Sequence, residues 1–261
     1  MTTRLLCHDL DADAGDLEVQ WAVLRQRVAR AQPHVLVLPE MPFAPWLASS
    51  PAVDAQAWAA AASEHDRWLD HLDDLDAEVV VTTRPIVDDA GARANEAVVW
   101  VRGRGIVARR RKTFLPDEPG FYEATWYQRG PVDFPVVDTP VAPLGVMVCT
   151  ELWFPEHGRA LGAAGARLIA VPRATPVTSV DRWEAGARVL AMVSGAYVLS
   201  VNRAGGHGVA TFAGGSVLVD PEGQVLARTT PELPVATAEV DLDAAVRARG
   251  TYPRYVDASH R

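Results

Sequence analysis

Cys149, Glu40 and Lys112 are the residues whose types and surroundings could carry covalent chemistry. Cys149 closes the apolar run 144–148 (LGVMV) and is followed by TELWF and then by Pro155-Glu156, which opens a helical stretch. A strand delivers such a side chain to the carboxyl edge of its sheet. The start of the next helix tolerates proline and offers backbone N–H groups and a positive dipole end, which favour a thiolate. A cysteine in that place is either a buried core residue or a nucleophile. Glu40 stands just past the buried run HVLVL (34–38) and behind Pro39. Burying a carboxylate unpaired at the end of a strand is costly, so the position reads as a site or as a solvated loop acid. Lys112 ends the basic run Arg102, Arg104, Arg109, Arg110, Arg111 and precedes TFLPDEPGFYEATW, an unusual mixture of aromatics, prolines and acids. If the lysine turns inward while its arginine neighbours turn outward, it supplies a fixed charge. A cysteine with a base and a cation can perform acyl transfer.

The elements that must position these residues alternate between short apolar runs and amphipathic stretches, an α/β pattern without repeats or low-complexity linkers. Leu17, Trp21, Leu24 and Val28 recur at spacings of three and four, so residues 17–31 are predicted helical, with Asp16 as the N-cap. Helices are also expected at 55–72, 155–164 and 181–195. Strands are expected at 34–38, 78–83, 95–101, 106–111, 168–172, 197–202, 215–219 and 224–228, beyond a first strand within TRLLCHDL. Asp220-Pro221-Glu222-Gly223 suits the tight turn of a hairpin. Crossovers mixed with hairpins fit two packed mixed sheets covered by helices better than a purely parallel sheet. Gly205, Gly206 and Gly208 lack the GxGxxG spacing of a dinucleotide site.

The 261 residues suffice for one large α/β domain, the reading adopted here for 1–261. A net charge of −8 opposes a nucleic-acid partner, which requires a basic face. No apolar stretch approaches the roughly 20 residues of a membrane span, and the amino-terminal stretch is too short and acidic for a secretory signal, so a cytoplasmic protein is expected. With Cys7 and Cys149 alone, neither a disulfide framework nor a CxxC metal knuckle is present. Two rival chemistries are a Cys-His hydrolase using His157 or His207 and a metal enzyme using the seven histidines; no HExxH spacing supports the second.

VLVLPE at 35–40, RRKTFLPDEPGFYE at 110–123 and GVMVCTELWFPEHGRALGAAGARLIAVP at 145–172 together resemble, in order and spacing, the carbon–nitrogen hydrolase (nitrilase) superfamily. The hairpin GGSVLVDPEGQVLA extends the resemblance over most of the chain. It implies a four-layer α-β-β-α sandwich and a Glu-Lys-Cys set, with Glu40 as general base, Lys112 as stabiliser of the tetrahedral intermediate and Cys149 as nucleophile. Glu123, eleven residues beyond Lys112, matches the second glutamate of the amidase and carbamoylase branches, with Glu118 as its rival. The backbone N–H of Thr150 would share the oxyanion. No metal or organic cofactor is required, and a homo-oligomer built on a dimer is expected, with the helix beginning at Pro155 in or near the interface.

The implied activity is hydrolysis of a non-peptide carbon–nitrogen bond in a small linear amide or N-carbamoyl compound. The alternatives are a small nitrile or a non-catalytic relative serving as a binding subunit. The chain departs from the family at Phe114, where histidine is common, at Val193-Ser194, where Glu-Asn is usual, and in a first strand lacking its usual glutamine. Substrate charge is read two ways. Asp117 and Glu118 would favour an amine-bearing substrate, and Trp153 with the FPE segment matches the carbamoylputrescine branch. Arg173, directly after Pro172, would instead clamp a substrate carboxylate, or is a surface arginine paired with a nearby acid.

Overall fold

The computed structural model describes residues 2–11, 16–206 and 208–256. The first half runs β1 (Thr2–His8), α1 (Leu17–Ala31), β2 (Val35–Val37), α2 (Ala55–Leu69), β3 (Val79–Val87), β4 (Arg93–Val101) and β5 (Gly105–Arg111). Two short strands, β6 (Asp117–Glu118) and β7 (Phe121–Tyr122), lead into a one-turn helix α3 (Glu123–Trp126). Then come β8 (Leu144–Val146), α4 (Pro155–Ala163), β9 (Leu168–Arg173), α5 (Val180–Ser194) and β10 (Tyr197–Asn202). The chain closes with β11 (Ala204–Gly205), β12 (Phe212–Ala213), β13 (Val217–Val219), β14 (Val225–Arg228), β15 (Val235–Asp241) and α6 (Asp243–Ala248).

The strands form a six-stranded sheet in the order β15-β1-β2-β3-β4-β5 and a five-stranded sheet in the order β14-β13-β10-β9-β8. Each contains a run of three parallel strands, central in the first sheet and reaching the edge strand β8 in the second, where helices cross between β1, β2 and β3 and between β8, β9 and β10. Each is extended by antiparallel strands. Period-two alternation decides the layering. Leu5, Cys7, Val35, Val37, Val79, Val81, Ala97 and Val99 share one core with Leu168 to Val171 and with Val198, Leu199 and Val201 of the second sheet. Their neighbours Leu6, Leu36, Val80, Val98 and Trp100 pack instead against Trp21, Leu24, Val28, Trp68 and Leu69 of α1 and α2. Helices α4 and α5 cover the second sheet, completing an α-β-β-α sandwich.

Local chemistry fixes the ends of these elements. Asp16 accepts the N–H of Glu18 at 2.8 Å, the N-cap expected for α1, and Asp54 caps α2 in the same way. Helix α2 stops at Leu69, short of the expected 72, and a separate 3-10 turn covers Leu72–Asp74. Asp220 accepts the N–H groups of Glu222 and Gln224 and closes the β13–β14 hairpin, with Gly223 at φ 82°. A Cβ at Gly162 of α4 would lie 1.9 Å from the carbonyl oxygen of Ser194, so glycine lets α4 lie directly on the end of α5.

Candidate active site

Glu40, Lys112, Glu123 and Cys149 come together at the carboxyl ends of the central strands. Lys112 Nζ donates to Glu40 Oε1 at 2.8 Å and to Glu123 Oε2 at 2.5 Å, and all three side chains are fully buried. Asn95 donates to the same Glu40 Oε1 at 2.7 Å, while Tyr127 O–H donates to Glu123 Oε2. Glu40 Oε2 makes no hydrogen bond to the protein.

Each of these residues is held from outside the set. Glu40 leaves β2 through Leu38-Pro39, and its own N–H reaches the carbonyl of Arg173 at 3.5 Å. The following Met41 adopts a left-handed conformation, φ 43°, and donates its N–H to Thr83 Oγ1 at 2.9 Å. The buried guanidinium of Arg203 donates to the carbonyls of Glu40, Met41 and Ala44 and so pins the loop. Lys112 continues β5, its N–H bonded to the carbonyl of Asn95 at 2.8 Å.

Cys149 begins a 3-10 turn, Cys149–Trp153, that separates β8 from α4. Its φ of 49° is a left-handed value costing a non-glycine residue about 1–2 kcal/mol. Glu151 over-determines that bend. Its fully buried carboxylate accepts the N–H of Val148 at 2.6 Å, the N–H of Thr113 at 2.6 Å and Arg110 Nη2 at 2.9 Å. One side chain thus ties the cysteine turn to the residues on both sides of Lys112. The expectation that only the lysine of the basic run turns inward needs correction here. Arg110 shares its strand parity and turns inward with it, its side chain 9% exposed, whereas Arg109 stays outside.

The electrostatics follow from burial. Burial pushes the Cys149 thiol far above its ordinary pKa, the neighbouring Glu40 carboxylate adds to that, and Lys112 opposes it. Burial lowers the proton affinity of Lys112, but Glu123 and Glu40 outweigh it and hold the ammonium charged. Burial pushes Glu123 up to about 7 against the pull of Lys112. The resting cysteine is therefore a neutral thiol that needs a base as it attacks.

Cys149 and Glu123 line a cavity of about 420 Å³ with Asp117, Glu118, Phe121, Thr150, Trp153, Arg182 and Trp183 among its walls. The expected Thr150, Glu118 and Trp153 are thus at the site. Glu118 is exposed and makes no contact with Lys112, so Glu123 rather than its rival completes the buried set. A larger groove, about 670 Å³, lies alongside and shares only Pro116 and Thr150 with this cavity.

Arg173 is a correction. It is the last residue of β9, fully buried, and does not line the cavity; its nitrogens are bonded to Ser200 Oγ, Thr175 Oγ1 and the carbonyl of Gly215. It is neither a surface residue nor free to grip a substrate. His157 stacks on Phe134, ring centroids 4.3 Å apart, and near Phe114, which itself stacks on Phe154 at 3.8 Å; none of these rings lines the cavity at Cys149, and Phe114 and Phe154 line the adjoining groove. The Cys-His alternative through His157 therefore has no geometry, and His207 lies outside the described residues. Among the described residues no group of three or more His, Cys, Asp or Glu side chains could hold a metal ion, and no helix is long and apolar enough to cross a membrane.

Asn95, Tyr127 and Glu151 escaped the sequence reading. Asn95 carried a signal, since it shares the parity of Ala97 and Val99, which face the second sheet, and a polar side chain on that face requires a partner. Tyr127 stands one helical turn beyond its partner Glu123, whereas Glu151 meets Arg110 and Thr113 from a distant segment that no local pattern marks.

Comparison with known proteins gives the family and the fold. The chain is 36% identical over 163 residues to a glutamine-dependent NAD(+) synthetase of Rhodobacter capsulatus, covering 61% of this chain and 28% of that protein. It is 31% identical over 165 residues to an N-carbamoylputrescine amidase of Solanum tuberosum, covering 56% of this chain and 54% of the relative. The chain thus spans about half or less of these relatives' lengths. A solved carbon–nitrogen hydrolase from Helicobacter pylori G27 superposes with a TM-score of 0.88 at 23% identity, over 99% of this chain and 96% of that one, which shows the shared fold. The family model for carbon–nitrogen hydrolases matches residues 11–249, and the chain belongs to the carbon–nitrogen hydrolase family.

Proposed function

We propose that the protein hydrolyses a non-peptide carbon–nitrogen bond in a small linear amide or N-carbamoyl compound through a cysteine thioester. The observation that carries this reading is the division of labour within Glu40. Lys112 and Asn95 hold Oε1, while Oε2 has no hydrogen-bond partner, in a carboxylate whose charge helps keep the buried Cys149 thiol protonated. Cys149 Sγ attacks the carbonyl carbon as its proton passes to Glu40 Oε2. The oxyanion is taken up by Lys112 and the backbone N–H of Thr150, and Glu40 returns the proton to the departing amine. A water that then loses a proton to Glu40 cleaves the thioester, releasing the acid and restoring the thiol. Glu123, with Tyr127, fixes Lys112 in place.

The cavity walls favour a neutral or cationic tail. Asp117 and Glu118 line the cavity and are exposed, and the Arg173 guanidinium is engaged elsewhere; Arg182 is the one cation in the lining. A matched panel with one scissile amide and a terminal amine, methyl or carboxylate tests this. The carboxylate member is expected to show the lowest kcat/KM. A value more than about tenfold above the amine member, lost in Arg182→Ala, reverses the assignment. Including carbamoyl and nitrile analogues, with intact-mass detection of the cysteine adduct, separates the bond types.

Pairing into dimers near α4 belongs to the same proposal. Val189 on the outer face of α5 and Trp153 before α4 leave apolar surface exposed. Light scattering at micromolar concentration is expected to show at least a dimer, and a stable monomer refutes it.

A further inference from the structure

The burial of Arg173 raises a question of charge. Its three guanidinium nitrogens meet only neutral oxygens, those of Ser200, Thr175 and Gly215, so no carboxylate contact cancels its positive charge. A fully buried cation without an ion pair is expensive and calls for a reason. The next residue, Ala174, supplies the carbonyl that receives the Sγ–H of Cys149 at 3.8 Å, and the backbone carbonyl of Arg173 itself accepts the N–H of Glu40. The guanidinium also backs Trp183, a wall of the cavity, with Cζ 5.6 Å from the ring centre.

We propose that Arg173 is a positioning residue for the reactive sulfur: a buried counter-charge that stabilises the Cys149 thiolate as its proton leaves. The inference rests on Cys149 being the nucleophile. In the step concerned the S–H bond breaks, the proton goes to Glu40 Oε2 and the electron pair stays on Sγ. Two carboxylates and one ammonium, Glu40, Glu123 and Lys112, leave the buried set one negative charge in excess, and Lys112 is already shared between the two carboxylates. Arg173 adds a second buried positive charge, one residue from the carbonyl that receives the Cys149 Sγ–H.

The groups that face Arg173 agree with this assignment. Burial lowers its pKa to about 10, which leaves it charged at neutral pH, and the negative charges that oppose burial are those of Cys149 when ionised, Asp9 and Cys7. Asp9 is itself pushed up to about 6 by burial and is bound to Ser216, so it does not lie in contact with the guanidinium. Cys7 is buried in the inter-sheet core and its thiol is held protonated. Arg203, whose N–H meets the Arg173 carbonyl, directs its own guanidinium at the Glu40 loop.

The test is the pH dependence of Cys149 alkylation by iodoacetamide, located by peptide mapping, in the parent, Arg173→Gln, Arg173→Lys and Ser200→Asp. Arg173→Gln is expected to slow alkylation at pH 7 by about tenfold and to move its rise with pH upward by about one unit, the reach of one charge through a protein interior. Arg173→Lys restores most of the rate, which a purely structural role for the guanidinium hydrogen bonds would not allow. Ser200→Asp sets a carboxylate against Nε and cancels the charge with the arginine still in place, so it decides the matter if Arg173→Gln fails to fold. An unshifted profile in the glutamine variant, or in Ser200→Asp, overturns the proposal. The hydrolytic reading fails separately, through turnover that survives in Cys149→Ala.

Discussion

Replacing Cys149 with alanine is expected to abolish turnover, by more than about a thousandfold, because Cys149 supplies the one thiol that lines the cavity. The fold should survive. The alanine methyl replaces a thiol whose one polar contact is a weak 3.8 Å donation to the Ala174 carbonyl, and the turn is fixed by Glu151 rather than by the sulfur. Iodoacetamide should label Cys149 before Cys7 although both are buried. Cys149 borders the cavity, whereas Cys7 is sealed between the sheets among Leu5, Val37 and Val171. Full activity in the alanine variant, or preferential labelling of Cys7, would remove the thioester from the mechanism. A serine variant that regains only a trace of activity would add support, since a hydroxyl held in the same turn is the weaker nucleophile.

Much of this arrangement was legible because the sandwich is built from period-two alternation. Val35 and Val37 face the other sheet and Leu36 faces the helices, as an apolar run buried on both sides requires. Such a run must end at a polar residue on the sheet edge, which is why Glu40 and Cys149 stood out. What remained hidden depends on segments far apart in the chain. Arg173 reads locally as a residue just past a strand. In the structure β9 runs on through it, paired in register with Asn202 of β10, and two of its three partners come from positions 200 and 215. Its burial cannot be inferred from its neighbours in sequence. Arg110 was different, because strand parity with Lys112 already placed it inward and only its partner, Glu151, lay out of reach. Strand β15, which closes the first sheet antiparallel to β1, alternates Ala236 and Val240 with exposed Thr237 and Glu239, too weak a pattern to read alone. The 3-10 turn at Cys149 likewise has no mark in the sequence beyond the delay between the cysteine and Pro155.

Glu40→Gln and Lys112→Ala are both expected to lower kcat at least about a hundredfold, the scale on which a positioned base or an oxyanion partner acts, yet they should part company in stability. The glutamine keeps the shape of the carboxylate, and its carbonyl oxygen can still accept from Asn95 and Lys112, so only the proton acceptor is lost and the melting temperature should change little. Lys112→Ala removes the cation between two buried carboxylates, a loss worth about 3–5 kcal/mol when a buried pair is broken from one side. The sign of its pH dependence follows from Glu123, whose folded-state pKa already stands near 7 against an ordinary 4.5 with Lys112 present to lower it. Without the lysine that value rises further. Between about 4.5 and that higher value the folded variant binds more protons than the unfolded chain, so its stability falls as pH rises through this range. Thermal melting at pH 8 should therefore reveal a larger deficit relative to the parent than melting at pH 6. A deficit that does not depend on pH would place the cost in lost packing rather than in uncompensated charge, and a change confined to KM in either variant would remove that residue from the chemical step.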